Sequence, residues 1–288
     1  MSSNLPQLNE LEGWLAANEA AVGGIREGCA KQIVWADGPQ RSKTVVVYVH
    51  GFSATLGEVR PLPDLVANAL GANLFYTRLS GHGQDGAAMG RATVDEWQRD
   101  VAEALAIGAA LGDELIVIGC STGCTLLTSA LAKGAQAKGV VHLSPNYGLQ
   151  NFLARNLLKV PGVKTWGRFI VGKNQSFQPR SDAHAQYWTL KYDTNAVFTM
   201  ADSVTECLAQ PIEGIKTPAY FAYAETDRVV SPKRTRTVLA RWGGPVQGDV
   251  LVQGPEDDTD GHVMAGDVLS PRQTAPLAAR IVDWVNTL

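Results

Sequence analysis

The chain has 288 residues and a formal net charge of −3, from 25 Lys and Arg against 28 Asp and Glu, so it lacks the basic excess of a nucleic-acid binder. No apolar run approaches the roughly 18 residues of a transmembrane helix, and the opening Met1-Ser2-Ser3-Asn4-Leu5-Pro6 lacks a basic-then-apolar leader. A hydrophobic fraction of 45% with 18% charged residues is that of a globular protein able to bury a core, and the expected location is cytoplasmic. Cys29, Cys120, Cys124 and Cys207 have no metal-like spacing. They are expected to be small buried residues, and no metal or other cofactor is anticipated.

In chain order, Leu5, Leu8, Leu11 and Leu15 predict a helix over residues 5–22 that packs on the body. Lys31 to Trp35 reads as an edge strand. Thr44 to Val49 is a continuous β-branched run, which suits a strand buried on both faces of a parallel sheet. It ends in His50-Gly51-Phe52-Ser53. A helix is expected from about Pro63 to Leu70 and a strand over Asn73 to Thr77, followed by Gly81-His82-Gly83. Thr93 caps a long helix, with Glu96 completing a capping box and Val94, Trp97, Val101, Leu105 and Gly108 facing inward.

The run Glu114 to Ile118 leads into Gly119-Cys120-Ser121-Thr122-Gly123, and Cys124 to Ala132 reads as a helix. A strand, a G-x-S-x-G turn and a helix make a nucleophile elbow. The glycines belong to the chemistry. The turn strains the serine backbone, and side chains beside it would strike the adjoining strand and helix. In return a hydroxyl stands at a helix N-terminus, where amide N–H groups meet a developing negative charge.

Gly139 to Ser144 is another buried strand. Strand–helix alternation then pauses from about Leu149 to Pro211, where helix-like stretches occur without a clear parallel strand. It resumes with strands at Ala219–Ala224 and Asp249–Val252, a helix from Pro232 to Trp242, and a last helix from Pro271 to Val285. The expected fold is therefore α/β, with a doubly wound, mostly parallel sheet. The division is a core of residues 1–148 and 212–288 and a small helical cap of residues 149–211, inserted over the carboxyl edge where ligands bind in such sheets.

Taken together, His50-Gly51-Phe52, Gly81-His82-Gly83, Gly119 to Gly123, Glu225-Thr226-Asp227-Arg228-Val229-Val230 and Gly261-His262 resemble the α/β-hydrolase superfamily. The likeness is to its carboxylesterase, monoacylglycerol-lipase and serine-aminopeptidase-like branch, over residues 44–288. It implies cofactor-free hydrolysis of carboxylic esters through an acyl-enzyme. The alternatives on this scaffold are an amidase or peptidase, a thioesterase, a carbon–carbon hydrolase, or a receptor without catalysis.

A serine needs a base within reach, and the base needs an orienting partner. The superfamily order is Ser, acid, His, and of the five histidines only His262 follows every plausible acid. Ser121 is thus the expected nucleophile and His262 the base. Asp227 matches the family's acid position, with Asp260 as the fallback and Asp257 and Asp258 expected in a solvated loop. The resemblance assigns the oxyanion donors to the backbone N–H groups of Phe52 and Thr122. His50 and His82 are expected to brace loops around the site rather than move protons.

Residues 149–181 hold Arg155, Lys159, Lys164, Arg168, Lys173 and Arg180 and no carboxylate, amid apolar residues. The expected use is a solvated basic face on a cap helix; contact with anionic lipid is the weaker reading. Apolar residues suggest a small-molecule ester with an apolar acyl or aromatic group, and the candidate substrate contacts are His50, Gly51, Phe152, Trp166 and Trp188. Oligomeric state stays open.

Overall fold

A computed structural model describes residues 5–158, 160, 162–163, 166–167 and 172–288. The strands of the main sheet are β1 (Gln32–Val34), β2 (Ser42–Val49), β3 (Asn73–Tyr76), β4 (Gly112–Cys120), β5 (Gly139–Leu143), β8 (Ala219–Tyr223) and β9 (Val246–Val250). Two further strands, β6 (Asn174–Ser176) and β7 (Lys191–Asp193), form a separate antiparallel pair. The main sheet runs in the order β1-β3-β2-β4-β5-β8-β9, all parallel except β1, which pairs antiparallel with β3.

The period of two along each strand divides the buried side chains into two cores. On one face Val45, Val47 and Val49 of β2 meet Val117 of β4 and Phe221 of β8. Two helices cover that face, α4 (Val94–Leu111), which contributes Trp97 and Val101, and α5 (Thr122–Ala132), which contributes Leu126 and Leu127. On the other face Val46 and Tyr48 meet Ile116, Ile118 and Tyr220, beneath α2 (Leu62–Leu70) and the last helix, α10 (Pro271–Val285). Each fully buried valine of β2 contributes roughly 1.5–3 kcal/mol, which explains the uninterrupted β-branched run.

The first helix, α1 (Leu8–Val22), buries Leu11 and Leu15 together with Glu19. Glu19 meets Arg78 in a buried ion pair at 2.7 Å, which brings the N-terminal helix against the loop after β3. A short helix, α3 (Gly86–Arg91), follows that loop, and the Thr93–Glu96 capping box opens α4. Within α4 the buried stripe runs through Ala104 and Ile107, whereas Leu105 is only half-buried.

Between β5 and β8 the chain carries α6 (Phe152–Leu157), α7 (Asp182–Tyr187) and α8 (Asn195–Leu208). The β6–β7 pair makes this insertion more than helical, a departure from the sequence expectation. These strands are three polar or half-exposed residues each, with no apolar alternation to read. The helix α9 (Pro232–Arg241) covers β8, and β9 begins three residues and ends two residues earlier than its apolar residues suggest.

Candidate active site

The turn between β4 and α5 places Ser121 at φ 48° and ψ −110°, strained backbone for a residue with a side chain. Tight packing requires glycine on both sides. A methyl at Gly119 would stand 2.9 Å from the Cys124 nitrogen, and one at Gly123 only 2.1 Å from the Val49 carbonyl oxygen. The turn is also tied to the neighbouring strand. The Ser121 N–H donates to the Leu143 carbonyl at 2.9 Å, and the Asn146 N–H donates to the Ser121 carbonyl at 3.1 Å.

Ser121, Asp227 and His262 converge although 141 residues separate the first from the last. His262 Nε2 lies 3.1 Å from Ser121 Oγ, and His262 Nδ1 lies 2.8 Å from Asp227 Oδ2. With Nδ1 protonated toward Asp227, Nε2 is free to accept the serine proton. Asp227 Oδ1 accepts the N–H groups of Val229 and Val230 at 2.7 and 2.9 Å, which fixes the carboxylate. Burial works against an imidazolium at His262, but Asp227, then Glu58 and Asp258, more than offset it and hold His262 above its ordinary pKa.

The loop that carries His262 corrects the sequence reading. Asp257 and Asp258 are buried, and Asp258 Oδ2 accepts the N–H groups of His262 and Val263 at 2.9 and 2.8 Å. Arg180, from the insertion, reaches across to Asp258 and to Asp260, the latter at 2.8 Å. Asp260 therefore faces this arginine, while Asp227 is the carboxylate on His262. Sequence reasoning missed the role of Asp258, because the fold of the His262 loop and an arginine 78 residues away together give it its partners.

The cleft over Ser121 has a volume of about 420 Å³ and is lined largely by apolar side chains, among them Phe52, Leu149, Phe177, Trp188, Tyr192 and Met200. Two larger grooves, of about 550 and 820 Å³, are lined by neither Ser121 nor His262 and so lack the chemistry, although the first adjoins the cleft through Asn146, Leu149 and Met200. Thr122 opens α5, and a helix leaves its first N–H groups without partners inside the helix. Phe52 borders the cleft, and among the described residues its N–H takes no part in the hydrogen bonds of the loop.

Trp188 is buried and lines the cleft. Trp166 is half-buried and does not line it, and the side chain of Phe152 lies outside the described residues, as do Lys159, Lys164 and Arg168. His50, expected among the substrate contacts, is instead fully buried behind the cleft, where Nε2 accepts the Leu79 N–H at 3.0 Å. Burial pushes His50 down to about 4 and His82 well below its ordinary value, so both rings stay neutral near pH 7. The thiols of Cys120 and Cys124, beside the nucleophile, are raised well above their usual range by burial, so neither supplies a thiolate.

A mostly parallel sheet, a strained serine between its central strand and a helix, and a histidine and aspartate from its carboxyl edge define a serine hydrolase of the α/β-hydrolase fold. The model of the serine aminopeptidase S33 family matches residues 40–248, and the chain belongs to that family. No curated protein matches the sequence. Among solved structures, one of the metagenome-derived lipolytic enzymes LipS and LipT aligns over 92% of this chain and 100% of its own, at 17% identity and a TM-score of 0.74. The monoacylglycerol lipase of Paleococcus ferrophilus aligns over 89% of this chain and 98% of its own, at 16% identity and a TM-score of 0.65. A soluble variant of monoglyceride lipase from Saccharomyces cerevisiae aligns over 90% of both chains, at 12% identity and a TM-score of 0.67. At these identities the likeness is one of fold. No described helix is long and apolar enough to cross a membrane.

Proposed function

We propose that this protein hydrolyses small carboxylic esters whose acyl group is apolar, through a covalent acyl-enzyme. The observation that carries the reading is the pair of contacts from His262 to Ser121 and to Asp227, at 3.1 and 2.8 Å, at the floor of an apolar cleft. Ser121 Oγ attacks the ester carbonyl while its proton passes to His262 Nε2, and the imidazolium then protonates the departing alcohol. Asp227 holds the imidazole in the required tautomer. Water, deprotonated by the same nitrogen, releases the acid and restores Ser121. The N–H groups of Phe52 and Thr122 meet the oxyanion, and each such donor contributes roughly 3–4 kcal/mol to the transition state.

We treat residues 149–211 as the cap that shapes the acyl site, with Trp188, Phe177 and Tyr192 as its contacts to substrate. The volume of about 420 Å³ falls low in the range of about 300–1,000 Å³ for small-molecule sites, so a short or medium acyl chain fits best. The family description favours a second reading, cleavage of a peptide from its amino end. A substrate ammonium group would need a carboxylate open to the cleft, yet Asp258 and Asp260 in its wall are already paired with Arg180, and Glu58 is 3% exposed with its Oε2 engaged by the Gly51 N–H and the Tyr48 hydroxyl. The four free, buried cysteines suit a reducing compartment such as the cytoplasm.

A panel of p-nitrophenyl esters and aminoacyl p-nitroanilides tests the assignment. The expected kcat/KM peaks at acyl chains of about four to eight carbons and falls well below that level for the anilides. Acetate cleaved as fast as the longer esters contradicts the apolar acyl site, and faster anilide cleavage favours the peptidase.

A further inference from the structure

One buried carboxyl beside the nucleophile is unused in this scheme. Glu58 closes a single turn of 3-10 helix at Leu56–Glu58, is 3% exposed, and borders the cleft. Its Oε2 accepts the Gly51 N–H at 2.6 Å and the Tyr48 hydroxyl at 2.9 Å. Gly51 directly precedes Phe52, whose N–H is the proposed oxyanion donor. A methyl group placed on Gly51 would lie 2.6 Å from Glu58 Oε1 and 3.1 Å from Ser121 Cβ. The carboxyl, the glycine and the nucleophile's own carbon are therefore packed together. Burying a carboxyl costs several kcal/mol unless its bonds and neighbours offset the loss of water, so a loop needing only a brace would be served by a neutral acceptor.

We propose that Glu58 is a positioning residue for hydrolysis, which holds the Gly51 N–H so that Phe52 faces the oxyanion and which shares the cleft wall with His262, so that its charge bears on the imidazole without touching it. It rests on the proposed roles of Ser121, His262 and Phe52. The ionisable groups around Glu58 are Tyr48 on β2, Cys120 at the end of β4 and His262 on its loop, while α7 lays the Tyr187 ring against Gly57. Burial raises the Glu58 carboxyl above the usual range, and the Gly51 and Tyr48 donors and His262 pull the other way. The two groups are mutually linked, since Glu58 is also among the carboxyls that lift His262. When Glu58 is ionised it favours the imidazolium; a neutral side chain there makes His262 a weaker base.

The test is an NMR titration of the His262 imidazole in the wild type and in Glu58→Gln, a readout independent of any substrate. Glutamine keeps an acceptor for the Gly51 N–H but never carries charge. The expected result is a His262 pKa lowered by on the order of half a unit or more. The acid limb of Ser121 inactivation by a fluorophosphonate shifts the same way, and kcat on the best ester falls about three- to ten-fold. If Glu58→Gln does not fold, Tyr48→Phe takes its place. Losing the hydroxyl donor disfavours the carboxylate, so the His262 titration again moves down. A titration and a pH profile that overlay those of the wild type overturn the proposal and leave Glu58 as a loop brace. If the wild type does not react with the fluorophosphonate, the hydrolase reading fails, while the titration still decides whether Glu58 acts on His262.

Discussion

Replacing Gly123 by alanine puts one methyl group where the structure has backbone. The new Cβ would stand 2.1 Å from the Val49 carbonyl oxygen and 2.8 Å from that of His50, where real Cβ atoms do not come within 3.0 Å. The end of β2 and the start of α5 must therefore separate by about 0.9 Å. No flexible side chain is available to absorb that movement, because both oxygens belong to the main chain. Overpacking of this kind costs about 1–3 kcal/mol, and a site without a yielding neighbour sits at the upper end. The displaced backbone leads straight into Gly51 and Phe52, so the oxyanion donor moves relative to Ser121. A misplacement of about 1 Å costs on the order of 100-fold in rate. Urea unfolding and kcat on p-nitrophenyl butyrate measure the two effects. Gly13→Ala is the control: nothing lies within 4 Å of its Cβ, and alanine in α1 stabilises by about 0.5–1 kcal/mol. A Gly123→Ala protein with wild-type stability and kcat refutes the elbow packing described above.

Two further substitutions separate catalysis from stability. Asp227→Asn keeps an oxygen for the Val229 and Val230 N–H groups but no longer fixes the His262 tautomer. A fall in kcat of about 10³- to 10⁴-fold with little change in melting temperature is expected, and a loss under ten-fold argues for another acid. His142→Phe acts on stability alone. Burial lowers the His142 pKa to about 3, its ring stacks on Phe221, and neither ring nitrogen has a partner among the described residues. Between pH 6.5 and about 3 the unfolded chain binds the proton that native His142 refuses, so wild-type stability falls as pH falls through that window. At pH 5 that linkage amounts to about 2 kcal/mol. The phenylalanine variant should therefore gain about 1 kcal/mol at pH 7.5 and clearly more at pH 5; an equal gain at both counts against the linkage.

The parts of this fold that were legible in the sequence are those governed by local chemistry. Val45 to Val49 announces a strand buried on both faces, Thr93 and Glu96 announce a helix start, and the spacing of Gly119, Ser121 and Gly123 announces a turn that only small residues permit. The elbow pattern at Ser121, the family's acid position at Asp227 and the chain order that left His262 as base named three side chains that the structure brings within hydrogen-bond distance. What escaped depends on partners remote in sequence or on strands without an apolar signal. Asp258 sits in a run of acidic residues that reads as solvated, and its burial follows from the His262 and Val263 N–H groups that its carboxylate accepts and from Arg180, arriving from the insertion. Glu58 is one carboxyl in a loop of mixed polarity until folding carries it to Gly51 and Tyr48. The edge strand β9 exposes Gln247, Gly248 and Val250, so its hydrophobic pattern is weak and its limits shift.

Intact-mass spectrometry after treatment with a fluorophosphonate asks most directly whether position 121 holds an activated hydroxyl. A single adduct mapped to Ser121, absent in Ser121→Ala and slowed at least 100-fold in His262→Ala, is the expected result. Folded wild-type protein that takes up no reagent, or a Ser121→Ala variant labelled as readily as the wild type, would contradict it.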